Sequence, residues 1–385
     1  MRGCNMPSYA GTSNVNMPPT GPQSGPSRKA MMVAMIIQEK VPLAPLTTLG
    51  VGGPARFFAE TRSVEDVRQA VDYARGRGLP LFVLGGGSNL VIADSGWPGL
   101  VLRVAISGME EREEEGNVVF EVGAGEEWDK FVAQAVKCDC AGVECMSGIP
   151  GSVGGTPVQN VGAYGQEVSE TIDSVQVLDL RDGEVRELCN PACGFSYRRS
   201  IFNNTERGRY IILRVTYALT PGGKPRVEYA DLRNHFAGRN GAPTLMEIRD
   251  AVRQIRARKA MLISPGEEDS RSAGSFFKNP VLSDEQYQSL VSRAATMGLQ
   301  VPSYPALSAQ RKVSAAWLVE TAGFKKGYQH GRVGISRKHA LAIINRGGAT
   351  AADVLALKDE IQKGVEEKFG IKLIPEPVFV GFAGS

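Results

Sequence analysis

"IPGSVGGTPVQNVGAYGQE", residues 149–167, contains five glycines in nineteen residues, with the amide side chains of Gln159 and Asn160 between them. A second glycine cluster, "LGGGSN" at 84–89, ends the short apolar run that begins at Pro80. Glycine-rich backbone lets N–H groups close around phosphate oxygens and lets a flat ligand approach closely. Two such loops in one strand-rich region favour a domain that binds a large phosphate-bearing cofactor over a pair of structural turns.

The glycine loops match neither of the two common nucleotide motifs. "LGGGSN" lacks the lysine of a P-loop, and in the G-x-G-x-x-G pattern its last glycine would fall at Leu90. The cofactor domain is therefore expected to have another fold.

Composition limits the classes of protein that fit. The chain has 385 residues, of which 42% are hydrophobic and 22% charged, enough for two or three packed domains. Its formal net charge of +3 gives no basic surface for nucleic acid. No apolar run approaches the roughly 20 residues of a membrane span. We expect a cytoplasmic protein that neither binds nucleic acid nor inserts into a membrane. Residues 1–35, which are rich in Pro, Gly and Ser, are predicted to form a disordered tail.

Periodicity predicts alternating helices and strands. Four segments have helical spacing with a Ser or Thr before the first apolar residue, at 63–78, 244–262, 312–323 and 350–370. Residues 80–92 are predicted to form a strand, a tight glycine loop and a second strand, and residues 117–125 a further strand. Residues 174–188 are a predicted hairpin, because Asp182-Gly183 divides them. We place a cofactor domain of two subdomains at 36–240, a second domain at 241–370, and at 371–385 a strand that returns to the first domain.

The six cysteines do not indicate a metal site. Cys138, Cys140 and Cys145 lie close in sequence, but they lack the paired C-x-x-C spacing and the neighbouring histidines of zinc sites. They are predicted to be reduced, packed thiols, and no metal is expected.

Eight stretches of the sequence carry a family resemblance. In order, they resemble the motifs of the UDP-N-acetylenolpyruvoylglucosamine reductase (MurB) family and together span about residues 41–382: "TTLGVGGPARF", "LGGGSNLVI", "VGAGEEW", "IPGSVGGTPVQNVGAYGQE", "FSYRRSIF", "SAGSFFKNP", "SAAWLVETAGFKKG" and "PEPVFVG". The resemblance implies an α+β protein, with a two-subdomain FAD-binding fold of the vanillyl-alcohol-oxidase type followed by a C-terminal α+β substrate-binding domain. It also implies a monomer that binds FAD, takes hydride from NADPH and reduces the enolpyruvyl ether of a UDP-sugar to the lactyl ether in peptidoglycan synthesis. FAD is expected to be non-covalent, because neither glycine loop contains the His or Cys to which this fold class attaches flavin.

Ser275, in "SAGSFFKNP", is the first candidate catalytic residue. A nucleophilic serine needs a base, and the chain offers only His235, His330 and His339. The G-x-S-x-G elbow of serine hydrolases is also missing. The resemblance implies that Ser275 is instead a proton donor. A hydroxyl needs a neighbour that eases the loss of its proton, and the residues alone offer Lys278 or a water chain for that role.

The resemblance assigns two further catalytic residues. Arg198, in "YRRS", binds the substrate carboxylate, and Glu376, between two prolines in "IPEPV", acts near the alkene. Without the resemblance, the residues alone favour a turn-capping role for Ser275 and an exposed arginine for Arg198, and a solvated edge-strand glutamate accounts for Glu376.

The resemblance also supplies binding residues. The implied cofactor contacts are Gly85, Gly86, Gly87, Ser88, Asn89, Gly123, Ile149, Gly151, Gly154, Gly155, Asn160, Gly162 and Ala163. The implied contacts to substrate or nicotinamide are Tyr229, Arg256, Lys259, Asn279, Tyr304 and His339.

Two other classes of protein remain compatible with the sequence. Another FAD-dependent oxidoreductase of the same fold would keep the glycine loops but would not need Ser275, Arg198 and Glu376 together. A sugar-nucleotide binding protein without activity would not pass electrons from NADPH to a flavin.

Overall fold

The computed structural model describes residues 35–264, 266–305 and 310–383. Except for Met35, the predicted disordered tail lies outside these residues. The described strands are β1 (Ile37–Pro42), β2 (Pro54–Thr61), β3 (Leu81–Leu84), β4 (Leu90–Ile92), β5 (Trp97–Val104), β6 (Met109–Glu114), β7 (Asn117–Gly123), β8 (Cys140–Ala141), β9 (Gly162–Ala163), β10 (Gln166–Glu167), β11 (Ile172–Asp179), β12 (Val185–Cys189), β13 (Tyr210–Pro221), β14 (Val281–Leu282), β15 (Ser303–Pro305), β16 (Arg311–Val313), β17 (Gln329–His330), β18 (Val333–Ile335), β19 (Ile343–Asn345) and β20 (Val378–Val380).

Five of the seven described helices begin at a Ser or Thr whose side chain caps the helix, whereas α2 and α3 begin without a side-chain cap. The described helices are α1 (Val64–Gly76), α2 (Trp128–Lys137), α3 (Ala230–His235), α4 (Leu245–Arg258), α5 (Asp284–Ala295), α6 (Ala315–Thr321) and α7 (Ala351–Phe369). Ser63, Thr244, Ser283 and Thr350 each form a capping box, in which two free N–H groups are satisfied reciprocally. The four predicted helices are confirmed as α1, α4, α6 and α7, whereas α2, α3 and α5 lie outside the predictions.

One helix begins later in the structure than the sequence predicts. The segment at 312–323 was expected to be helical throughout, but Arg311–Val313 forms β16, which pairs with both β14 and β15. The helix begins only after Ser314, whose side chain accepts a hydrogen bond from Trp317 N–H.

Two main sheets form the N-terminal half of the described chain. The first has strand order β1-β2-β5-β3, with β2, β5 and β3 parallel and β1 antiparallel. The second is antiparallel, with order β12-β11-β13-β7-β6 and β8 against β13. The predicted hairpin at 174–188 is confirmed as β11 and β12.

The apolar cores follow this division. The largest cluster lies between Ala59 and Leu245 and includes the fully buried Trp128, Phe131 and Tyr217. A second cluster joins residues 276–373 to Leu49, Val51 and Val91 from the N-terminal half. The domain boundaries near residues 240 and 370 stay predictions.

The C-terminal strand pairs with the beginning of the chain. β20 runs parallel to β4, and Val380 packs in a small cluster with Leu43, Ala55 and Ile92. In the part of the chain that the structure describes, no helix combines the length and apolar character needed to cross a membrane.

Candidate active site

A cavity of about 910 Å³ collects most of the predicted site residues. Both glycine loops line it, together with Arg198, Ser275, His339 and Glu376. These segments come from regions that are distant in sequence, so the site exists only in the folded chain.

The two glycine loops lie directly against each other. A Cβ atom on Gly86 would fall 2.5 Å from Gly151 Cα, and one on Gly87, whose φ is +66°, would fall 1.9 Å from Leu46 O. A Cβ on Gly151, at φ +131°, would meet Ser88 Oγ at 2.9 Å. Side chains at these positions would clash with their surroundings, because real Cβ atoms essentially never come within 3.0 Å of other atoms.

Asn89 joins the two loops to the C-terminal segment. Its side-chain amide donates to Gln159 Oε1 at 2.7 Å and to Glu376 O at 3.3 Å, while its backbone carbonyl accepts from Val378 N–H. These contacts fix the position of Glu376 relative to the glycine loops.

Two observations show that the loops fit a bound cofactor. Ser152 Oγ lines the cavity, is buried and has no hydrogen-bond partner among the described residues, so a ligand atom would satisfy it. A Cβ on Gly155 would have only Ser152 Oγ within 4 Å, at 3.9 Å, so this glycine faces open space. Small polar groups beside the apolar side chains of Val83, Leu90 and Ile149 suit a ligand with a flat ring and phosphates.

The segment around Ser275 is held between two others by backbone hydrogen bonds. Phe276 N–H donates to Leu341 O at 2.7 Å, and Glu376 N–H donates to Phe276 O at 2.9 Å. Lys278 N–H donates to Ile374 O at 2.9 Å. This pairing brings Ser275 to the same wall of the cavity as Glu376 on one side and the segment of His339 on the other.

Ser275 contacts one of the three histidines. Its Oγ lies 3.1 Å from His339 Nε2, and His339 Nδ1 accepts a hydrogen bond from Leu341 N–H at 3.3 Å. Burial, with smaller contributions from the positive charges of Lys259, Lys326 and Arg256, lowers the pKa of His339 to about 4. The ring is therefore neutral at physiological pH.

Arg198 and Glu376 form an ion pair at the cavity wall. Arg198 Nε lies 3.0 Å from Glu376 Oε1, with both side chains mostly buried. Arg198 Nη2 also donates to Gly162 O at 2.8 Å, so the guanidinium is fixed to the second glycine loop. Its backbone is left-handed, with φ +55°, a strained conformation for a residue that carries a side chain.

Four of the residues predicted to bind substrate besides His339 line the cavity. Arg256 is buried and donates to Gly148 O at 3.1 Å and Met261 O at 2.7 Å, and burial lowers its pKa. Lys259 pairs with Asp231 at 2.6 Å. The side chain of Asn279 accepts a hydrogen bond from Ala315 N–H at the start of α6. The fourth, Tyr229, is 46% exposed at the cavity edge.

Four predicted contacts lie outside the cavity lining. A Cβ on Gly123 would meet Ile106 O at 2.4 Å, and one on Gly154 would meet the Ala124 side chain at 2.6 Å, so packing accounts for both glycines. Asn160 is buried and its amide bonds to Glu167 and Ser196. Tyr304 lies on β15 with 59% of its surface exposed.

Two tyrosines that the sequence did not single out line the cavity. The ring of Tyr164 packs edge-on against Tyr229, with centroids 5.4 Å apart. Tyr197 has the ammonium group of Lys312 4.0 Å from its ring centre. Both tyrosines lie inside quoted motifs, but only the tertiary structure shows which motif positions face the cavity.

Three arginines at helical spacing on α4, Arg249, Arg253 and Arg256, have two different roles. Arg249 and Arg253 both pair with Asp129 of α2, so they join α4 to α2, and of the three only Arg256 reaches the cavity.

The described cysteines are free thiols: Cys138, Cys140, Cys145, Cys189 and Cys193.

Comparison with known proteins places this arrangement in a family. The family model "UDP-N-acetylenolpyruvoylglucosamine reductase, C-terminal domain" matches residues 265–380, and the model "FAD binding domain" matches residues 55–188. The UDP-N-acetylenolpyruvoylglucosamine reductase of Thermobifida fusca is 48% identical over 89% of this chain and 97% of its own length. The chain belongs to the UDP-N-acetylenolpyruvoylglucosamine reductase family.

Other members of the UDP-N-acetylenolpyruvoylglucosamine reductase family agree with this assignment. The Streptomyces coelicolor reductase is 46% identical over 89% of this chain and 90% of its own. The crystal structure of the reductase (MurB) from Thermus caldophilus covers 90% of this chain and 99% of its own, with a TM-score of 0.61 and 27% identity. The predicted α+β architecture, an FAD-binding domain followed by a family-specific C-terminal domain, is confirmed, and so is FAD as the cofactor.

Proposed function

We propose that the protein reduces UDP-N-acetylglucosamine enolpyruvate to UDP-N-acetylmuramate, with NADPH as hydride donor and non-covalent FAD, as a cytoplasmic monomer in peptidoglycan precursor synthesis. The observation that carries the proposal is the convergence of Ser275, Arg198 and Glu376 on one cavity that also contains both glycine loops. An oxidoreductase that only needed a flavin would have no use for this set.

The reaction consumes one hydride and one proton per alkene. The FAD ring, when bound, supplies the hydride that it has taken from NADPH. Conjugation with the carboxylate directs the hydride to the methylene carbon, so the electron pair of the alkene moves onto the adjacent carbon and the carboxylate. A proton must then reach that adjacent carbon, which also bears the ether oxygen.

Ser275 is the proposed donor of that proton. Its hydroxyl lies on the cavity wall, next to the segment that holds Glu376. Donation breaks the serine O–H bond and leaves the electron pair on Oγ, and solvent later returns a proton to the oxygen. A positioned proton donor contributes about 10²- to 10⁴-fold in rate.

Arg198 is proposed to bind the negatively charged carboxylate of the substrate, and Glu376 to position Arg198. The guanidinium offers a planar pair of donors that matches a carboxylate, and its charge stabilises the electron pair that moves toward that group. Glu376 Oε1 lies 3.0 Å from Arg198 Nε, and Nη1 and Nη2 each donate one hydrogen bond to a backbone carbonyl of the second glycine loop, so the guanidinium is held in position and its remaining Nη hydrogens are the donors proposed to reach a bound carboxylate.

The diphosphate of the substrate has two candidate cations. Lys259 is 40% exposed and Arg256 is buried, and both line the cavity together with Tyr229. Because an arginine or lysine binds phosphate through charge-assisted hydrogen bonds, these residues are proposed to hold the nucleotide end while Arg198 holds the carboxylate.

The test separates the two halves of the reaction. The purified protein should be yellow, release its flavin on acid precipitation, and lose its flavin absorbance with NADPH under anaerobic conditions. Adding the enolpyruvyl substrate should restore the absorbance, whereas UDP-N-acetylglucosamine, which lacks the alkene, should not. Reduction by NADPH without restoration by the enolpyruvyl substrate would refute the function and favour another FAD oxidoreductase.

Ser275→Ala tests the proton donor within the same experiment. Flavin reduction by NADPH should be nearly unchanged, because no alkene takes part, and restoration by the substrate should slow by roughly 10²- to 10⁴-fold. Ser275→Cys, with a dissociable proton of pKa about 8.5, should recover part of the loss. Arg199→Ala is a matched control for Arg198→Ala, because Arg199 is exposed and lies outside the cavity lining.

A further inference from the structure

The contact between Ser275 and His339 raises the question of which atom carries the shared proton. The Ser275 oxygen lies 3.1 Å from His339 Nε2. On the other side of the ring, Leu341 N–H donates to His339 Nδ1 at 3.3 Å. An atom that accepts a hydrogen bond from a backbone N–H cannot carry a proton itself, so Nδ1 is the unprotonated nitrogen.

The protonation state of the ring follows from its surroundings. The side chain is largely buried, and the charged groups that face it are the cations of Lys259, Arg256 and Lys326. Burial and these charges hold the pKa of His339 near 4, so the ring carries one proton at neutral pH. With Nδ1 excluded, that proton lies on Nε2 and points at the Ser275 oxygen.

We propose that His339 is a positioning residue for the proton transfer, whose Nε2–H donates a hydrogen bond to Ser275 Oγ. This proposal rests on the proposed function and deepens it. The donated bond occupies one lone pair of the hydroxyl, so the serine proton turns away from the ring and toward the cavity. When the serine gives up that proton, the same bond stabilises the negative oxygen that remains. His339 stays neutral throughout, and water restores the serine proton.

The arrangement differs from that of a serine nucleophile. A base must offer an unprotonated nitrogen to the serine, whereas here the unprotonated nitrogen faces the backbone of Leu341. Both ring nitrogens are also engaged inside the protein, so His339 keeps no free polar atom with which to bind substrate or nicotinamide. The role through Ser275 therefore replaces direct ligand binding as the function of this side chain.

Two substitutions of His339 distinguish the roles of its two ring nitrogens. In His339→Asn the side-chain oxygen can still accept from Leu341 N–H, but no donor reaches Ser275. In His339→Gln the longer side chain places an amide N–H where Nε2–H was. We expect His339→Asn to leave flavin reduction by NADPH unchanged and to slow flavin reoxidation by the enolpyruvyl substrate about 10- to 100-fold, the range of a hydrogen bond to a charged group. His339→Gln should recover much of that rate.

A double-mutant cycle shows whether His339 acts through Ser275. In the Ser275→Ala background, His339→Asn should cause no further slowing of reoxidation, because the oxygen that it serves is gone. Multiplicative effects of the two substitutions would overturn the proposal, and so would equal slowing of flavin reduction, which would indicate a contact with nicotinamide or a structural role.

A spectroscopic measurement tests the hydrogen bond without turnover. With only three histidines in the chain, nitrogen-15 labelling and His339→Asn identify the His339 signals. We expect a protonated Nε2 and an unprotonated Nδ1 at pH 7, with the Nε2–H signal shifting in Ser275→Ala. A protonated Nδ1 would overturn the proposal. If the enolpyruvyl substrate fails to reoxidise the wild-type flavin, the proposed function fails, and this measurement still decides the hydrogen bond.

Discussion

At the residue scale, the direction of a single hydrogen bond decides what Ser275 can do. A serine beside a histidine is the pairing of many hydrolases, and here the two atoms lie 3.1 Å apart. The ring nevertheless has little basicity, because burial lowers the pKa of His339 to about 4. Its accepting nitrogen is also occupied by Leu341 N–H. The same two residue types thus form an acid with a supporting donor, not a nucleophile with a base.

The lowered pKa of His339 predicts a pH dependence of stability. The unfolded chain binds a proton at this histidine below about pH 6.5, whereas the folded protein resists protonation until about pH 4. The contribution of His339 to the free energy of unfolding is therefore complete above pH 6.5 and is lost as the pH falls from 6.5 to 4. From pH 7 to pH 5, this residue should reduce the free energy of unfolding by about 2 kcal/mol.

Urea unfolding of the wild type and His339→Asn at both pH values measures this contribution. The buried carboxylates titrate alike in both proteins, so the difference between the two isolates His339. An equal pH slope in wild type and variant would show that the folded-state pKa of His339 is not lowered.

At the element scale, the glycines of the two loops serve different purposes. Gly86 and Gly87 allow backbone to meet backbone, since a Cβ atom there would overlap Gly151 or Leu46. Gly155, by contrast, faces open space beside the unpaired Ser152 Oγ. The first kind of glycine supports the fold of the loops, and the second leaves room for the cofactor.

Substitution of these glycines should separate cofactor binding from folding. Gly155→Val places methyl groups in the cavity, so the variant should fold with a near-normal melting temperature but purify without flavin. Gly86→Ala should lower the melting temperature of the flavin-free protein, because its methyl group would lie 2.5 Å from Gly151 Cα. Thermal unfolding and flavin absorbance are the two measurements. A yellow Gly155→Val protein would show that the cofactor does not occupy this space.

At the scale of the whole molecule, the C-terminal region is bound to the N-terminal half at several points. β20 pairs in parallel with β4, and the side chain of Asn345 donates to the carbonyls of Leu49 and Gly50. Asp94 accepts hydrogen bonds from Ala351 N–H at 2.8 Å and Ala352 N–H at 3.0 Å, the free donors at the start of α7. These contacts fix the C-terminal segment that carries Glu376 against the glycine loops.

Removal of the Asp94 carboxylate should loosen this attachment. We expect Asp94→Ala to lower the free energy of unfolding by about 1 kcal/mol, because two helix N–H groups lose their acceptors near the positive end of the helix dipole. Asp359→Ala, an exposed carboxylate on the same helix, should change it by less than about 0.5 kcal/mol. Urea unfolding gives both values, and equal effects of the two substitutions would contradict the structural role of Asp94.

The sequence by itself determined the local features of this protein. Capping residues and apolar spacing were enough for α1, α4 and α7, because a helix start depends on residues within one turn. The glycine loops indicated a cofactor, and the motif resemblance supplied Ser275, Arg198 and Glu376.

Only the tertiary structure decided which partners these residues meet. His339 reaches Ser275 across 64 residues, and Arg198 pairs with Glu376 through the packing of distant segments. Strand register and side-chain direction set such contacts, and neither is encoded in a local pattern. For the same reason, sequence could not separate Gly155, which faces the cavity, from Gly154, which packs against Ala124. Adjacent residues with identical chemistry differ there only in the direction in which the backbone turns them.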